Sequence, residues 1–233
     1  MNTVKNFQVW VCGLMLAAAP SAALAFRSGP PAGLTGSPVS GGSSCFPCHG
    51  DGSTGPGSLQ IMDFPATYAP STNYDLTVKI ADATKLGAGF QISVEKAGAM
   101  HVGTLSIIDG TNTQLNSTNW VNHTLAGTNN SVANWNMLPN SNSASYMVRW
   151  TSPATDQGPI TAYAVGNAIN NNFNNGTGDN IYLTNVTANF LAPVPTVSQW
   201  GLAVIALLVL TVGTVVIRRR PVAVCHVATV CNR

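Results

Sequence analysis

Three runs alternate apolar and polar residues with a period of two, and they limit the fold more than anything else in the chain. Tyr74, Leu76, Val78 and Ile80 alternate with Asp75, Thr77 and Lys79. Phe90, Ile92 and Val94 alternate with Gln91, Ser93 and Glu95, and Tyr146, Val148 and Trp150 with Met147 and Arg149. Side chains two apart share one face of a strand, so these runs predict strands with one buried and one polar face. Val102–Ile108, Trp120–Leu125, Ile160–Val165 and Ile181–Phe190 are further candidates. Turn residues at Leu86-Gly87, Asp109-Gly110, Pro139-Asn140 and Gln157-Gly158-Pro159 separate the runs. Seven or eight short strands in about 130 residues predict an all-β, two-sheet sandwich over residues 58–192. A segment of that length buries a core of its own.

The two ends of the chain read as export and retention. Lys5, the apolar run Val9–Ala19 and the small residues of Ala23-Leu24-Ala25 form a secretory signal, residues 1–25, with cleavage expected near Phe26. Residues 193–199 form a linker. The 18 residues Trp200–Ile217 carry no charge and meet the roughly 17–25 residues of a membrane span. Arg218, Arg219 and Arg220 follow, which places the tail 218–233 on the cytoplasmic side. Between the two apolar segments, five bases stand against eight acids, a net charge of −3. The basic excess of the whole chain therefore belongs to its ends, and nucleic acid is not an expected partner.

The chemistry-bearing motif is Cys45-Phe46-Pro47-Cys48-His49, inside a Gly/Pro/Ser-rich loop over residues 26–57. Two thiols two residues apart followed directly by His is the spacing of c-type haem attachment. Cys45 and Cys48 would bond the macrocycle, and His49 would take the proximal iron position. A thioredoxin-like pair, half a zinc site and a plain disulfide are the other readings of two such thiols. The first expects a βαβ context and the second four ligands; neither is visible in the sequence. His123 is the first distal-ligand candidate and Met62 the second, ahead of Met100, His101, Met137 and Met147. His101 lies in a Gly/Ala-rich stretch that reads as an exposed turn. Trp120, Trp135 and Trp150 read as core, and Asp179 as a turn cap or a contributor to a Ca²⁺ site. Cys225, His226 and Cys231 read as a frayed tail. N-x-S/T sequons begin at Asn116, Asn122, Asn129, Asn175 and Asn185, as expected by chance in so Asn-rich a chain. Glu95 is the only Glu, and no GxSxG, HExxH or phosphate-cradling loop is present, so no enzyme is expected.

Several pieces in order carry a resemblance: CFPCHG, YAPSTNYDLTV, GFQISV, VNHT, MVRWTSPATDQGPITAYAVGNAIN and GTGDNIYLTNV, over roughly residues 45–190. Together they resemble the bacterial "choice-of-anchor V" surface proteins, in which a haem motif precedes a reeler-like β-sandwich. The His-Thr pair at 123–124 is similar to one found in reeler domains without haem, which implies a structural part for His123. Pro195-Thr196-Val197-Ser198-Gln199-Trp200-Gly201, a span and an arginine cluster resemble a PTL-type exosortase sorting signal. That resemblance implies a Gram-negative envelope and processing by a sorting enzyme, although residues 221–233 run on past the arginines. The resulting expectation is a periplasmic or cell-surface monohaem cytochrome module carrying one covalent haem c, held by one membrane span and passing electrons to an envelope redox partner. The alternatives are an adhesion or matrix-binding sandwich with a structural CxxCH, and a haem-based gas sensor.

Overall fold

The structure is a computed structural model that describes residues 26–49, 54–173, 177–192 and 199–218. The signal segment 1–25, the loop residues 50–53, the Asn175 sequon, residues 193–198 of the linker, Arg219, Arg220 and the tail with Cys225, His226 and Cys231 lie outside the described residues. The chain divides into two units after Leu191.

The first unit holds eleven strands and one helix among the described residues. The strands are β1 (Ser58–Met62), β2 (Thr67–Tyr68), β3 (Asn73–Ala81), β4 (Gly87–Lys96), β5 (Met100–His101), β6 (Thr104–Ile107), β7 (Thr113–Asn116), β8 (Trp120–His123), β9 (Ser143–Thr151), β10 (Ile160–Ile169) and β11 (Asn180–Phe190). One sheet has the order β1-β3-β9-β6. The other runs β2-β11-β10-β4-β8-β7, with β5 also on β4. This is the expected two-sheet β-sandwich. Leu76, Val78 and Ile80 of β3 and Tyr146, Val148 and Trp150 of β9 meet Phe90, Ile92 and Val94 of β4 in one core. Trp150 is its aromatic centre, with ring centroids of Phe64, Tyr74 and Tyr68 at 5.3, 5.7 and 5.9 Å. Gly166 on β10 lets the sheets close up: a Cβ there would come within 2.7 Å of Ile80.

Three expectations need correction. The unit is not wholly strand, because α1 (Leu125–Asn134) follows β8 directly. Thr124 caps it, its hydroxyl accepting from the Gly127 amide at 2.9 Å. The stretch Val102–Ile108 is not one strand: β5 ends at His101, and β6 covers only Thr104–Ile107, across the sandwich from it. Gly87 opens β4 and is not a turn residue.

A fourth correction matters for function. β4 alternates as a half-solvated strand would, yet it is buried on both faces. The Gly/Pro/Ser-rich loop lies over its outer face. The Leu34 amide donates to Gln91 Oε1 at 2.7 Å, and Gln91 Nε2 donates to the Pro31 carbonyl at 2.8 Å. The Thr35 and Ser93 hydroxyls are 3.1 Å apart, and the Val39 amide donates to Glu95 Oε2 at 3.1 Å. The polar side chains that should meet water meet backbone amides and hydroxyls of the loop. Asn122, 1 % exposed and bonded to the Pro30 carbonyl, is sealed beneath it, so its sequon is closed to modification in the folded unit.

Glu95→Ala should therefore loosen the loop. It removes the acceptor of Val39 and Ser93, a loss of about 1–3 kcal/mol for buried donors left unsatisfied. Amide hydrogen exchange at Val39 should accelerate roughly ten- to a hundredfold. Unchanged protection would mean that the loop is held by its apolar contacts alone.

The second unit contains α2 (Gln199–Arg218), apolar on all sides and uncharged until Arg218. Its 20 residues give a length of about 30 Å, enough to cross the hydrocarbon core of a bilayer.

Candidate functional site

Cys45 to His49 form a single turn rather than a helix. The Cys45 carbonyl accepts from the amides of Cys48 at 3.2 Å and His49 at 3.1 Å, so both thiols and the imidazole project from one tight bend. Pro47 has no amide to place and fits there. Both thiols are free. Cys45 is 7 % exposed and sits in a small apolar cluster with Val165 of β10 and Ile181 of β11, flanked by Leu34 and Phe46. Burial, with Cys48 adding, pushes its thiol up to about 12. A nucleophilic redox pair needs a thiol moved the other way, so the thioredoxin-like reading has no support here. Nor, among the described residues, do three or more His, Cys, Asp or Glu side chains gather as a metal-binding group, so half a zinc site finds no other half.

His49 is gripped by two residues remote in sequence. Its Nδ1 is 2.8 Å from Asp179 Oδ2, in the turn before β11. Asn167 on β10 places its Nδ2 3.1 Å from Nδ1 and 3.0 Å from Nε2. Such equal distances put the amide over the face of the ring, because an approach in the ring plane would collide with Cε1. The in-plane direction of Nε2 is not taken by Asn167. Asp179 is itself fixed, its Oδ1 accepting from the Asn170 amide at 3.0 Å. The buried Asn167 Oδ1 has no hydrogen-bond partner.

The donor set fits covalent haem. Two thiols and an imidazole share one bend, the Nδ1 of that imidazole is engaged by a carboxylate, a common partner of metal-ligating histidines, and the residues about Cys45 are apolar. Sequence reasoning found Cys45, Cys48 and His49 but not Asn167, and it read Asp179 as a cap or Ca²⁺ residue. Neither residue carries a local signal; β10 and the turn before β11 bring them in from more than 115 positions away.

The distal candidates fare differently. His123 lies near the motif, close enough for charge on His49 to influence it, yet its ring serves the sheet edge. β8 stops pairing with β4 at Asn122, and the Phe90 amide donates instead to His123 Nδ1 at 2.9 Å. The ring lies over Gly89, where a Cβ would approach Cε1 within 2.4 Å. Burial holds it neutral and lowers its pKa to about 4, against the pull of the Phe90 and Phe26 carbonyls. Met62 is corrected as a nearby donor. It ends β1 in the opposite sheet, exposed and paired with Thr77. Its strand starts near the motif's side, where the Gly57 amide donates to Tyr182 of β11, and runs away from it by four residues. His101 is not a solvated turn residue. It pairs with Glu95, and its ring stands edge-on to Trp120 with centroids 4.4 Å apart. Met100, Met137 and Met147 are exposed. Trp135 and Trp150 are core, as expected.

Residues 192–220 match the IPTL-CTERM motif. No curated protein matches the chain significantly. Among solved structures, the human F-spondin reeler domain is similar at 18% identity, covering 61% of this chain and 95% of that chain with a TM-score of 0.40. A second structure, the Reelin-N domain of F-spondin, gives 19% identity over 61% of this chain and 93% of that chain, also at 0.40. The C-terminal domain of the Streptococcus agalactiae AgI/II polypeptide BspA gives 14% over 60% of this chain and 51% of that chain, at 0.34. The chain is a mostly β, two-sheet sandwich followed by a C-terminal sorting signal, which implies an exported, surface-anchored protein.

Proposed function

We propose that the exported sandwich is a monohaem c-type cytochrome module of a Gram-negative envelope, attached by its C-terminal span until a sorting enzyme processes it. The supporting observation is the treatment of His49. Its ring, directly after the two-thiol bend, is oriented by a carboxylate 130 positions away, and a plain disulfide has no use for an oriented imidazole. Cys45 and Cys48 would hold the haem covalently, and His49 would ligate its iron. Bound there, haem supplies a one-electron iron couple. Leu34, Phe46, Val165 and Ile181 pack about Cys45 and would keep water from the attachment point, and Asp179 and Asn167 would keep the imidazole from turning. The net negative domain would select a redox partner with a basic face.

The packing of Cys45 among Val165 and Ile181 favours a second reading, an adhesion or matrix-binding sandwich in which the bend is a structural staple. One experiment separates the two. The full chain, expressed with haem-maturation machinery, should keep a haem stain through denaturing electrophoresis and gain the mass of one haem. Cys45→Ala and Cys48→Ala should weaken or lose the stain. A wild-type chain without haem sinks the cytochrome reading and leaves the adhesion one.

A further inference from the structure

We infer that Asp179 is a positioning residue that fixes which nitrogen of His49 carries the proton, so that Nε2 presents a lone pair to a bound metal centre. The inference rests on the haem reading for its purpose but not for its geometry. An ionised carboxylate can only accept hydrogen bonds. At 2.8 Å from Asp179 Oδ2, His49 Nδ1 must therefore be the donor, and in the neutral ring Nε2 is left unprotonated. An unconstrained imidazole prefers the opposite arrangement, with the proton on Nε2, which turns an N–H toward any metal. The Asp179 contact reverses that preference at the one histidine that follows the two thiols.

The surroundings make the choice rigid. Asp179 cannot rotate away without losing the Asn170 amide from its other oxygen. The ring cannot turn over without displacing Asn167, whose amide lies across its face. His49 and Asp179 are both largely buried, at 14 and 6 % side-chain exposure, so water does not compete easily for Nδ1. Asn167, opposite Gly89 in the ladder, lies on β10, and Asp179 directly precedes β11, the two strands whose Val165 and Ile181 pack on Cys45. One hairpin thus supplies both the apolar wall and the orienting carboxylate.

The variant Asp179→Asn should invert the arrangement with little change of shape. If its Oδ1 keeps the Asn170 amide, its NH₂ faces His49 Nδ1 and must be accepted there, which drives the proton to Nε2. If the amide flips, its NH₂ opposes the Asn170 N–H. The same exchange in a hydrolase triad leaves geometry intact and selects the wrong tautomer.

The test starts on the full wild-type chain in detergent, ¹⁵N-labelled at histidine and free of haem, with the His49 signals assigned by their loss in His49→Ala. The neutral His49 ring should show a protonated Nδ1 and an unprotonated Nε2. Asp179→Asn should exchange the two, whereas Asn167→Ala should not. In haem-matured protein, Asp179→Asn should keep the covalent stain yet acquire the absorption spectrum of His49→Ala, and added imidazole should restore that of wild type. A wild-type ring protonated at Nε2 overturns the inference without any variant, as does an Asp179→Asn chain with unchanged tautomer and spectrum. Absence of haem from every matured chain defeats the cytochrome reading instead and leaves the tautomer result standing.

Discussion

Replacing Trp150 with alanine is expected to cost about 3–5 kcal/mol, the range for removing a large aromatic from a core. The side chain is fully buried between the sheets, and its neighbours converge from four directions. Phe64 and Tyr68 come from the segment between β1 and β3, Tyr74 from β3, and the Val102 carbonyl accepts its Nε1–H at 3.0 Å from beyond β5. Alanine would leave a void lined by rings fixed on different strands, which cannot all collapse into it, and would strand the Val102 carbonyl. Against a usual domain stability of about 5–15 kcal/mol the loss is a large fraction. Urea unfolding followed by circular dichroism measures it, and the melting temperature should fall by roughly 10 °C or more. Met147→Ala, on the exposed face of the same strand, should stay within about 0.5 kcal/mol. Equal effects of the two would mean that the aromatic cluster is not the centre of the core.

The second large effect is acid lability set by His123. Its ordinary value of 6.5 falls to about 4 in the fold because burial disfavours the charged ring. A depressed histidine binds its proton less readily folded than unfolded, so the unfolded chain gains protons first as pH drops. The contribution is present in full above about 6.5, declines as pH falls, and has gone near 4. The gap corresponds to about 3 kcal/mol. His101, lowered chiefly by burial, adds the same sign in the same region. Asp82 acts lower down. Burial alone would raise it, but bonds from Tyr182, Asn180 and Thr84 outweigh that and hold it below 3.8, so its contribution fades only as pH falls past that range. Unfolding free energy measured between pH 7 and 4 should fall more steeply for wild type than for His123→Ala. At pH 7 the variant should also be weaker by about 1–3 kcal/mol, having abandoned the buried Phe90 amide. Parallel curves for the two chains would show that His123 does not titrate with unfolding.

The sandwich was legible because β3 and β9 alternate and each has one dry face. The same rule misread β4: Gln91, Ser93 and Glu95 look alike in sequence whether water or a hydrogen-bonding loop lies above them. A loop of Gly, Pro and Ser shows no periodicity that would announce its docking. Helix α1 escaped because Leu125–Asn134 mixes Asn, Gly and Thr, poor helix formers, with no clear apolar stripe. Its one cue was Thr124, a good cap, inside what read as the end of a strand. At the site, adjacency in sequence disclosed Cys45, Cys48 and His49. Their partners Asn167 and Asp179 depend on how β10 and β11 pair, which no local pattern encodes.

The depth of Cys45 sets an order of events. Its sulfur lies against residues 165 and 181, contacts of long sequence separation whose loop-closure cost must be met before they form. Until the β10–β11 hairpin reaches them, a newly exported chain carries an open, reactive bend; afterwards the thiol is sealed and hard to ionise. Whatever becomes bonded to Cys45 must therefore arrive during a window that folding itself closes. If Cys45 is modified at all, a chain that folds too soon would lock in the free thiol, and modification would compete with folding.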